Sequence, residues 1–297
     1  MPRRATGRSE KNGGDCKAKM EENIEREQRL ARMIDDAYKD LGTVDGSRIL
    51  GCTIYNYDSM KSTQEFARGL IGSKRSDGMI VLADEVKDAH GRFGREWHAP
   101  KGGLWFTLIR HDLNEFYGMA ACVSVCEALQ KYVPAKARWP NDVYVNEKKI
   151  AGILVEEVLE SELLGASLVG VGINVNNNME GILDTATSIV QETGREADLD
   201  YLFANVVARM KKYFWLAERY AVRRLELWDY GKEAENPIVA RFKELTDIIG
   251  REVRYKPPAA EGEPQAARAV DILDDGRLVV KVNDDRVLLN SEEITLV

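Results

Sequence analysis

A chain of 297 residues with 44% hydrophobic and 31% charged residues is globular, with room for one main domain and a small one. Its formal net charge of −7 argues against general nucleic-acid binding, so contact with polyanions must come from local basic clusters. No apolar run reaches the roughly 18 residues of a membrane span, and no signal-peptide core follows the start.

Residues 1–19 are polar and basic (Arg3, Arg4, Arg8, Lys11, Lys17, Lys19) with no apolar periodicity, which predicts a disordered tail. From Met20 the pattern turns helical. Leu30, Met33, Ile34, Ala37, Tyr38 and Leu41 recur at three and four, and Gly42 is the expected stop. We assign 20–47 to this helical extension. One helix is too little for a winged helix-turn-helix, so no DNA-binding domain is expected.

Arg48 to Tyr57 reads as a strand. Ser62-Thr63-Gln64-Glu65 then reads as a helix start, with Ser62 as N-cap and Glu65 completing a capping box, the helix running to Ile71 or Gly72. The free N–H groups of such a start also suit a carboxylate or carbonyl. Gly78 to Ala83 is almost wholly apolar and predicts a central strand covered on both faces. The segment Asp84 to Gly102 reads as a long loop. Its glycines, Gly91 and Gly94, interleave with Arg92 and Arg95, a pattern that brings backbone and guanidinium forks to phosphate, and Trp97 implies that the loop packs down.

Gly102-Gly103 opens a strand, Leu104 to Arg110, where two glycines at an edge admit a flat ligand. A helix is expected from Asn114 to Tyr132. It contains Cys122 and Cys126, four apart, which read as buried thiols. With Cys16 and Cys52 there are 4 cysteines, none in a Cys-x-x-Cys pair, and the 3 histidines (His90, His98, His111) complete no zinc spacing. Reduced cysteines fit a cytoplasmic enzyme.

Next come a short strand, Ala137 to Trp139, a turn at Pro140-Asn141-Asp142, a strand from Val143 to Val145, a hairpin tip at Asn146-Glu147, and a strand from Lys149 to Val158. A lysine beside so apolar a run is by itself more often a snorkelling edge residue than a catalyst. Leu163 to Val175 predicts another strand, with Asn174 and Asn176 on one face; the Gly170-Val171-Gly172 within it is a weak signal alone. Helices are expected over Leu199 to Tyr220 and Leu225 to Leu245, the second broken near Gly231 and Pro237. From Arg251 short β runs separated by turns predict a small barrel of SH3 type. The domains expected are therefore 1–19, 20–47, 48–248 and 249–297.

The motifs together resemble the biotin protein ligases, the short type without a DNA-binding domain. They are Gly91-Arg92-x-Gly94-Arg95-x-Trp97-x-x-Pro100-x-Gly102, then Trp139-Pro140-Asn141-Asp142, then Lys149-Ile150-Ala151-Gly152-Ile153-Leu154-Val155-Glu156, then Gly170-x-Gly172-Ile173-Asn174-x-Asn176. The resemblance implies an α+β fold like the class II aminoacyl-tRNA synthetases, with a mixed or antiparallel sheet, packed helices and a C-terminal SH3-like barrel. It implies activation of biotin by ATP and Mg²⁺ as biotinyl-5′-AMP and transfer to a lysine of a biotin carboxyl carrier domain. Homodimerisation is the only oligomer it suggests, and neither DNA nor membrane is an expected partner.

For the site, the resemblance implies that Ser62, Thr63, Gln64, His90, Gly91, Arg92, Gly102, Gly103 and Lys149 bind biotin. It places ATP on Arg92, Arg95, Trp97, Asn141, Asp142, Lys149 and Asn174, gives Lys149 and Arg92 the catalytic roles, and makes Asp142 a weak metal candidate. The chain departs from the family pattern in three places, at four positions. Ala89-His90 replaces a Gly-Arg pair, Val86 stands where a glutamine is common, and Arg138 replaces a lysine. Valine can neither donate nor accept a hydrogen bond, and the absence of one such bond to a ligand weakens binding by about 1–3 kcal/mol. This leaves open a ligase of the same fold for another acid, such as lipoate, or a non-catalytic biotin-binding relative.

Overall fold

The computed structural model describes residues 10–42, 50–51, 53–161, 164–179, 181, 184–228, 235–255, 263–290 and 294–296. Seven strands form the main sheet: β1 (Ile54–Tyr57), β2 (Ile80–Ala83), β5 (Leu104–Arg110), β6 (Lys136–Arg138), β7 (Asp142–Val145), β8 (Lys148–Ser161) and β9 (Leu164–Ile173). Their order is β1-β2-β5-β9-β8-β7-β6. Only β1 and β2 run parallel; the other neighbours are antiparallel. The expected loop from Asp84 to Gly102 is instead a separate hairpin, β3 (Val86–His90) and β4 (Glu96–Ala99), around a 3₁₀ turn at Arg92–Gly94. At its tip Phe93 (φ 60°) and Gly94 (φ 71°) are left-handed, a conformation that reverses the chain within three residues.

Strand alternation gives the sheet two different faces. Leu104, Phe106 and Leu108 of β5, with Val169, Val171 and Ile173 of β9, share a core with three helices. These are α1 (Glu10–Asp40), α3 (Tyr117–Leu129) and α5 (Leu199–Trp228). On the opposite face Ile109 and Leu168 pack against Ala67 and Ile71 at α2 (Thr63–Leu70) and just beyond it, and Trp105 packs with Val86 and Ala99 of the hairpin. Two short helices, α4 (Ile189–Thr193) and α6 (Pro237–Leu245), complete the helical set among the described residues.

The helix of α1 begins at Glu10, not at Met20, so 10–19 belong to it rather than to a disordered tail; residues 1–9 lie outside the described part. Leu30 and Ile34 are its buried stripe. The second long helix expected at 225–245 is shorter. Residues up to Trp228 continue α5, and α6 starts at Pro237 with Asn236 capping the N–H groups of Ile238 and Val239. Proline at the first helical position has no N–H to lose, which is why the helix starts there.

A second, five-stranded antiparallel sheet has the order β13-β12-β11-β10-β14. Its strands are β10 (Glu252–Tyr255), β11 (Gln265–Ile272), β12 (Leu278–Val282), β13 (Asp285–Leu289) and β14 (Ile294–Leu296). This is the small C-terminal β domain; the long hairpin loop expected after Tyr255 falls mostly on 256–262, outside the described residues. It is tied to the main domain by the Trp139 indole N–H on the Gly276 carbonyl (2.9 Å) and by Asn236 on the Asp274 carbonyl (2.9 Å).

Ser62 is the N-cap of α2, its Oγ accepting from the Glu65 N–H at 3.2 Å. Glu65 does not close the box reciprocally; its carboxylate turns to Lys61 (3.4 Å). Ser62→Ala should cost about 1 kcal/mol of stability, a typical value for removal of a cap, read as a lower urea midpoint.

Candidate active site

The two glycines Gly152 of β8 and Gly172 of β9 face each other directly across the ladder, and Gly170 lies two residues on along the same face. Without side chains they leave a flat floor under the hairpin. The Trp97 indole lies on it: a Cβ on Gly172 would be 2.9 Å from Trp97 Nε1, and one on Gly152 would be 3.1 Å from the ring and from Lys149 Cε. A Cβ on Gly170 would be 3.1 Å from Gln64. Between this floor, the hairpin and the start of α2 is a cavity of about 840 Å³.

The cavity gathers residues from distant parts of the chain. Ser62, Thr63 and Gln64 reach it from α2; His90, Gly91, Arg92, Arg95 and Trp97 from the hairpin; Asn141, Asp142 and Lys149 from the turn and strands beside it; and Asn174 from the end of β9. Gly102 and Gly103 are not among its lining residues. Gly102 (φ 98°) lies against the backbone of Asn176 and Asn177, and a Cβ on Gly103 would collide with the Trp105 ring. The missing side chain at Gly103 makes room for the Trp105 ring, and that at Gly102 for the backbone of Asn176 and Asn177. The floor role falls to Gly152, Gly170 and Gly172, which strand alternation could have revealed, since 170 and 172 must share a face. Tyr144, Glu147, Thr185 and Arg251 also line the cavity and were not anticipated.

Lys149 is fixed through its backbone. Its N–H donates to the Thr185 carbonyl (2.8 Å) and its carbonyl accepts from the Thr187 N–H (3.0 Å). A bulge between Val143 and Tyr144 offsets β7 against β8 and leaves Asp142 opposite Gly152. The Lys149 ammonium then sits 2.7 Å from Asp142 Oδ1 and 5.2 Å from the centre of the Trp97 ring. Both partners are partly exposed, so the cation remains available to a ligand in the cavity. The turn that presents Asp142 is locked. Trp139–Pro140 is cis, the Asn141 amide donates to the Ile153 carbonyl, and the Ile153 N–H donates to the Asn141 carbonyl at 3.1 Å. Asn141 is thus largely spent on backbone.

Asn174 is buried, and its Oδ1 accepts from Asn177 Nδ2 at 3.0 Å. Asn176 does not share its direction: β9 ends at Ile173, and Asn176 pairs in both senses with the backbone of Ala197. Thr63 accepts from the Thr107 hydroxyl (2.9 Å). Gln64 Nε2 donates to Glu156 (2.9 Å), while Gln64 Oε1 and Trp97 Nε1 are buried without a hydrogen-bond partner among the described residues. Buried polar atoms of this kind need a partner, and both belong to residues that line the cavity.

The three departures also meet the cavity. Val86 adds an apolar wall; His90 is half exposed, with Nε2 3.3 Å from Asp88 Oδ1; and the Arg138 guanidinium lies 3.8 Å from the centre of the Tyr144 ring and 3.0 Å from Glu147. Arg251 donates to Glu147 at 2.8 Å, so the segment entering the small β domain forms one end of the cavity. The Arg251 hydrogen bond, with Arg138 beside it, holds the Glu147 carboxyl below its ordinary value of 4.5. A depressed carboxyl contributes stability above the unfolded value and loses it as pH falls through the folded one. Glu147→Gln should therefore be slightly less stable than wild type at pH 7. That difference should shrink as pH falls below the ordinary 4.5 and vanish only once the folded carboxyl, held lower than that, is protonated too; denaturant melts over a descending pH series check this.

Among the described residues no three His, Cys, Asp or Glu side chains gather as metal ligands, and Asp142 is engaged with Lys149. Cys122 and Cys126 are buried as expected. Burial pushes the Cys122 thiol well up and that of Cys126 to about 12, which leaves both unreactive.

Comparison with known proteins agrees with this geometry. Residues 57–174, which hold most of the cavity, match the Biotin/lipoate A/B protein ligase family. Over this stretch the chain is similar to that family. It is 27% identical over 262 residues to the bifunctional ligase/repressor BirA of Bacillus subtilis, covering 84% of this chain and 76% of the relative. It is 24% identical to the biotin–[acetyl-CoA-carboxylase] ligase of Mycobacterium tuberculosis, covering 73% and 79%. Among solved structures it superposes on the biotin protein ligase of Aquifex aeolicus in complex with biotin and ATP. That match has a TM-score of 0.65 and 25% identity, over 82% of this chain and 99% of the other. The ligase fold, with its mixed sheet, packed helices and small β domain, is therefore the fold of this chain.

Proposed function

We infer that this protein is a biotin–protein ligase: it activates biotin with ATP and transfers it to a lysine of a biotin carboxyl carrier domain. The observation that carries this reading is Lys149, a cation held in a half-enclosed cavity with Arg92 and Arg95 of the hairpin beside it and a side-chain-free floor below. Two anions must meet in the first step. The biotin carboxylate oxygen attacks the α-phosphorus of ATP, a P–O bond forms, and pyrophosphate leaves. Fixed positive groups that offset this repulsion lower the barrier without reorganising.

In this reading Lys149 bridges the biotin carboxylate and the α-phosphate, and Arg92 lies over the joined product. Ser62, Thr63 and Gln64 receive the ureido end, where Gln64 Oε1 would find its missing donor. Arg95, Trp97, Asn174 and the Asn141-Asp142 turn border the nucleotide. Asp142 holds Lys149 in place before the ligands enter. Magnesium would reach the site on the phosphates of ATP, as part of the substrate, because the carboxylates of Asp142 and Glu147 that line the cavity are already paired with Lys149, Arg138 and Arg251. In the second step the carrier lysine amine attacks the acyl carbon of the mixed anhydride, and AMP leaves with the electrons of the broken C–O bond. The hairpin shields the anhydride from water in between.

A purified carrier domain incubated with the protein and Mg·ATP, with biotin and lipoate offered together, tests this reading. Mass spectrometry should show one biotinyl group on a single lysine. A carrier domain that gains lipoyl but never biotinyl would overturn the choice of acid.

A further inference from the structure

Both chain segments that build the cavity wall leave the sheet at the same place. β1 ends at Tyr57 and passes through Met60 and Lys61 to Ser62, Thr63 and Gln64; β2 ends at Ala83 and passes through Asp84 into the hairpin. The two are stitched together by the N–H groups of Met60, Lys87 and Asp88, which donate to Glu85, Met60 and Lys61 carbonyls at 2.9–3.1 Å. At the root of this pair lies one guanidinium from outside the sheet. Arg26 of α1 donates through Nη1 to Asp84 Oδ1 (2.9 Å) and Asn56 Oδ1 (3.1 Å), and through Nε and Nη2 to Asp200 Oδ1 of α5 (3.3 and 3.1 Å). Asn56 is buried, and its N–H is taken by Glu27 Oε1 of the same helix (3.0 Å).

Resting on the ligase reading above, we propose that Arg26 is a positioning residue for the reaction: it fixes the roots of the hairpin and of the Ser62–Gln64 segment relative to each other. It touches no substrate. A planar fork with three carboxylate or amide partners sets both distance and angle, which a lysine could not do. The neighbouring Arg29 provides an internal control, because it meets the same Asp200 (2.5 Å) and so holds α1 to α5 without reaching the cavity wall. Loss of Arg26 should let the two walls drift apart, weakening biotin capture and admitting water to the adenylate, while the chemistry at Lys149 is intact once ligands are bound.

The test compares wild type, Arg26→Gln and Arg29→Ala for the biotin KM, the kcat of transfer, and the rate of AMP release without a carrier domain. Arg26→Gln should raise the KM and the carrier-free AMP release about tenfold each with kcat within about twofold, the pattern of a mispositioned wall. Arg29→Ala should leave all three within about twofold of wild type. Equal effects of the two substitutions, or an Arg26→Gln enzyme with unchanged KM and AMP release, would overturn the proposal. Should Arg26→Gln not fold, Asp84→Asn, which keeps the Asp200 bonds, must show the same two rises, and unchanged values there overturn it equally. A wild type without biotin-dependent AMP formation would overturn the ligase reading and this proposal with it; an active wild type with unchanged variants overturns this proposal alone.

Discussion

Lys149→Ala should remove biotin-dependent pyrophosphate release, by at least about 10²–10³-fold, the scale seen when one preorganised electrostatic partner of a developing charge is deleted. The loss should fall on kcat for adenylation, because the ammonium matters most when carboxylate and phosphate close on each other. The fold should survive. Lys149 is partly exposed, and its backbone bonds to Thr185 and Thr187 do not depend on its side chain. Circular dichroism and a melting curve on the same sample separate the two outcomes. Pyrophosphate release at the wild-type rate from Lys149→Ala would end its assignment.

Gly172→Ala should be nearly as damaging by a different route. The added methyl carbon would lie 2.9 Å from Trp97 Nε1 and 3.0 Å from Cε2, so the indole must lift off the floor. Trp97 anchors β4, and Lys149 lies 5.2 Å from its ring, so both the cover and the cation of the site move together. Displacement of about 1 Å in such a site can cost on the order of 100-fold in rate. Thermal stability should change little, since the indole lies at the cavity wall and not in the helix-side core. A pyrophosphate-release assay with varied biotin checks this, and a wild-type kcat/KM would show that the indole has room to move.

The sequence was most legible where local rules and tertiary structure ask for the same thing. The apolar run of β2 is buried on both faces, and β5 spans Leu104–Arg110 as its pattern requires. Ser62 caps α2, as the Ser-Thr-Gln-Glu order implies. The segment after Asp84 was misread because its pairing is polar: Lys87, Asp88, His90 and Glu96 carry no apolar alternation, and the hairpin folds on backbone bonds to its own strands and to Met60 and Lys61. Its site residues nevertheless line the cavity, since glycine and arginine chemistry does not depend on whether they sit in a loop or a turn.

Asn176 was placed wrongly because the two-residue period ends with the strand at Ile173. The glycine floor was assigned to Gly102 and Gly103 because adjacent glycines are conspicuous in sequence. The three that form it, Gly152, Gly170 and Gly172, become a surface only once β8 pairs with β9 in register. Arg251 could not be linked to the cavity from sequence, being 102 positions from Lys149, and the same holds for the bonds that Arg26 of α1 makes to Asn56 of β1, to Asp84 just beyond β2 and to Asp200 of α5.

The measurement that tests the central claim most directly is pyrophosphate release from Mg·ATP by the wild-type protein with biotin, with lipoate, and with no acid. The account predicts release with biotin alone, which would make the apolar wall at Val86 compatible with biotin. Release with lipoate alone, or with neither acid from folded protein, would contradict it.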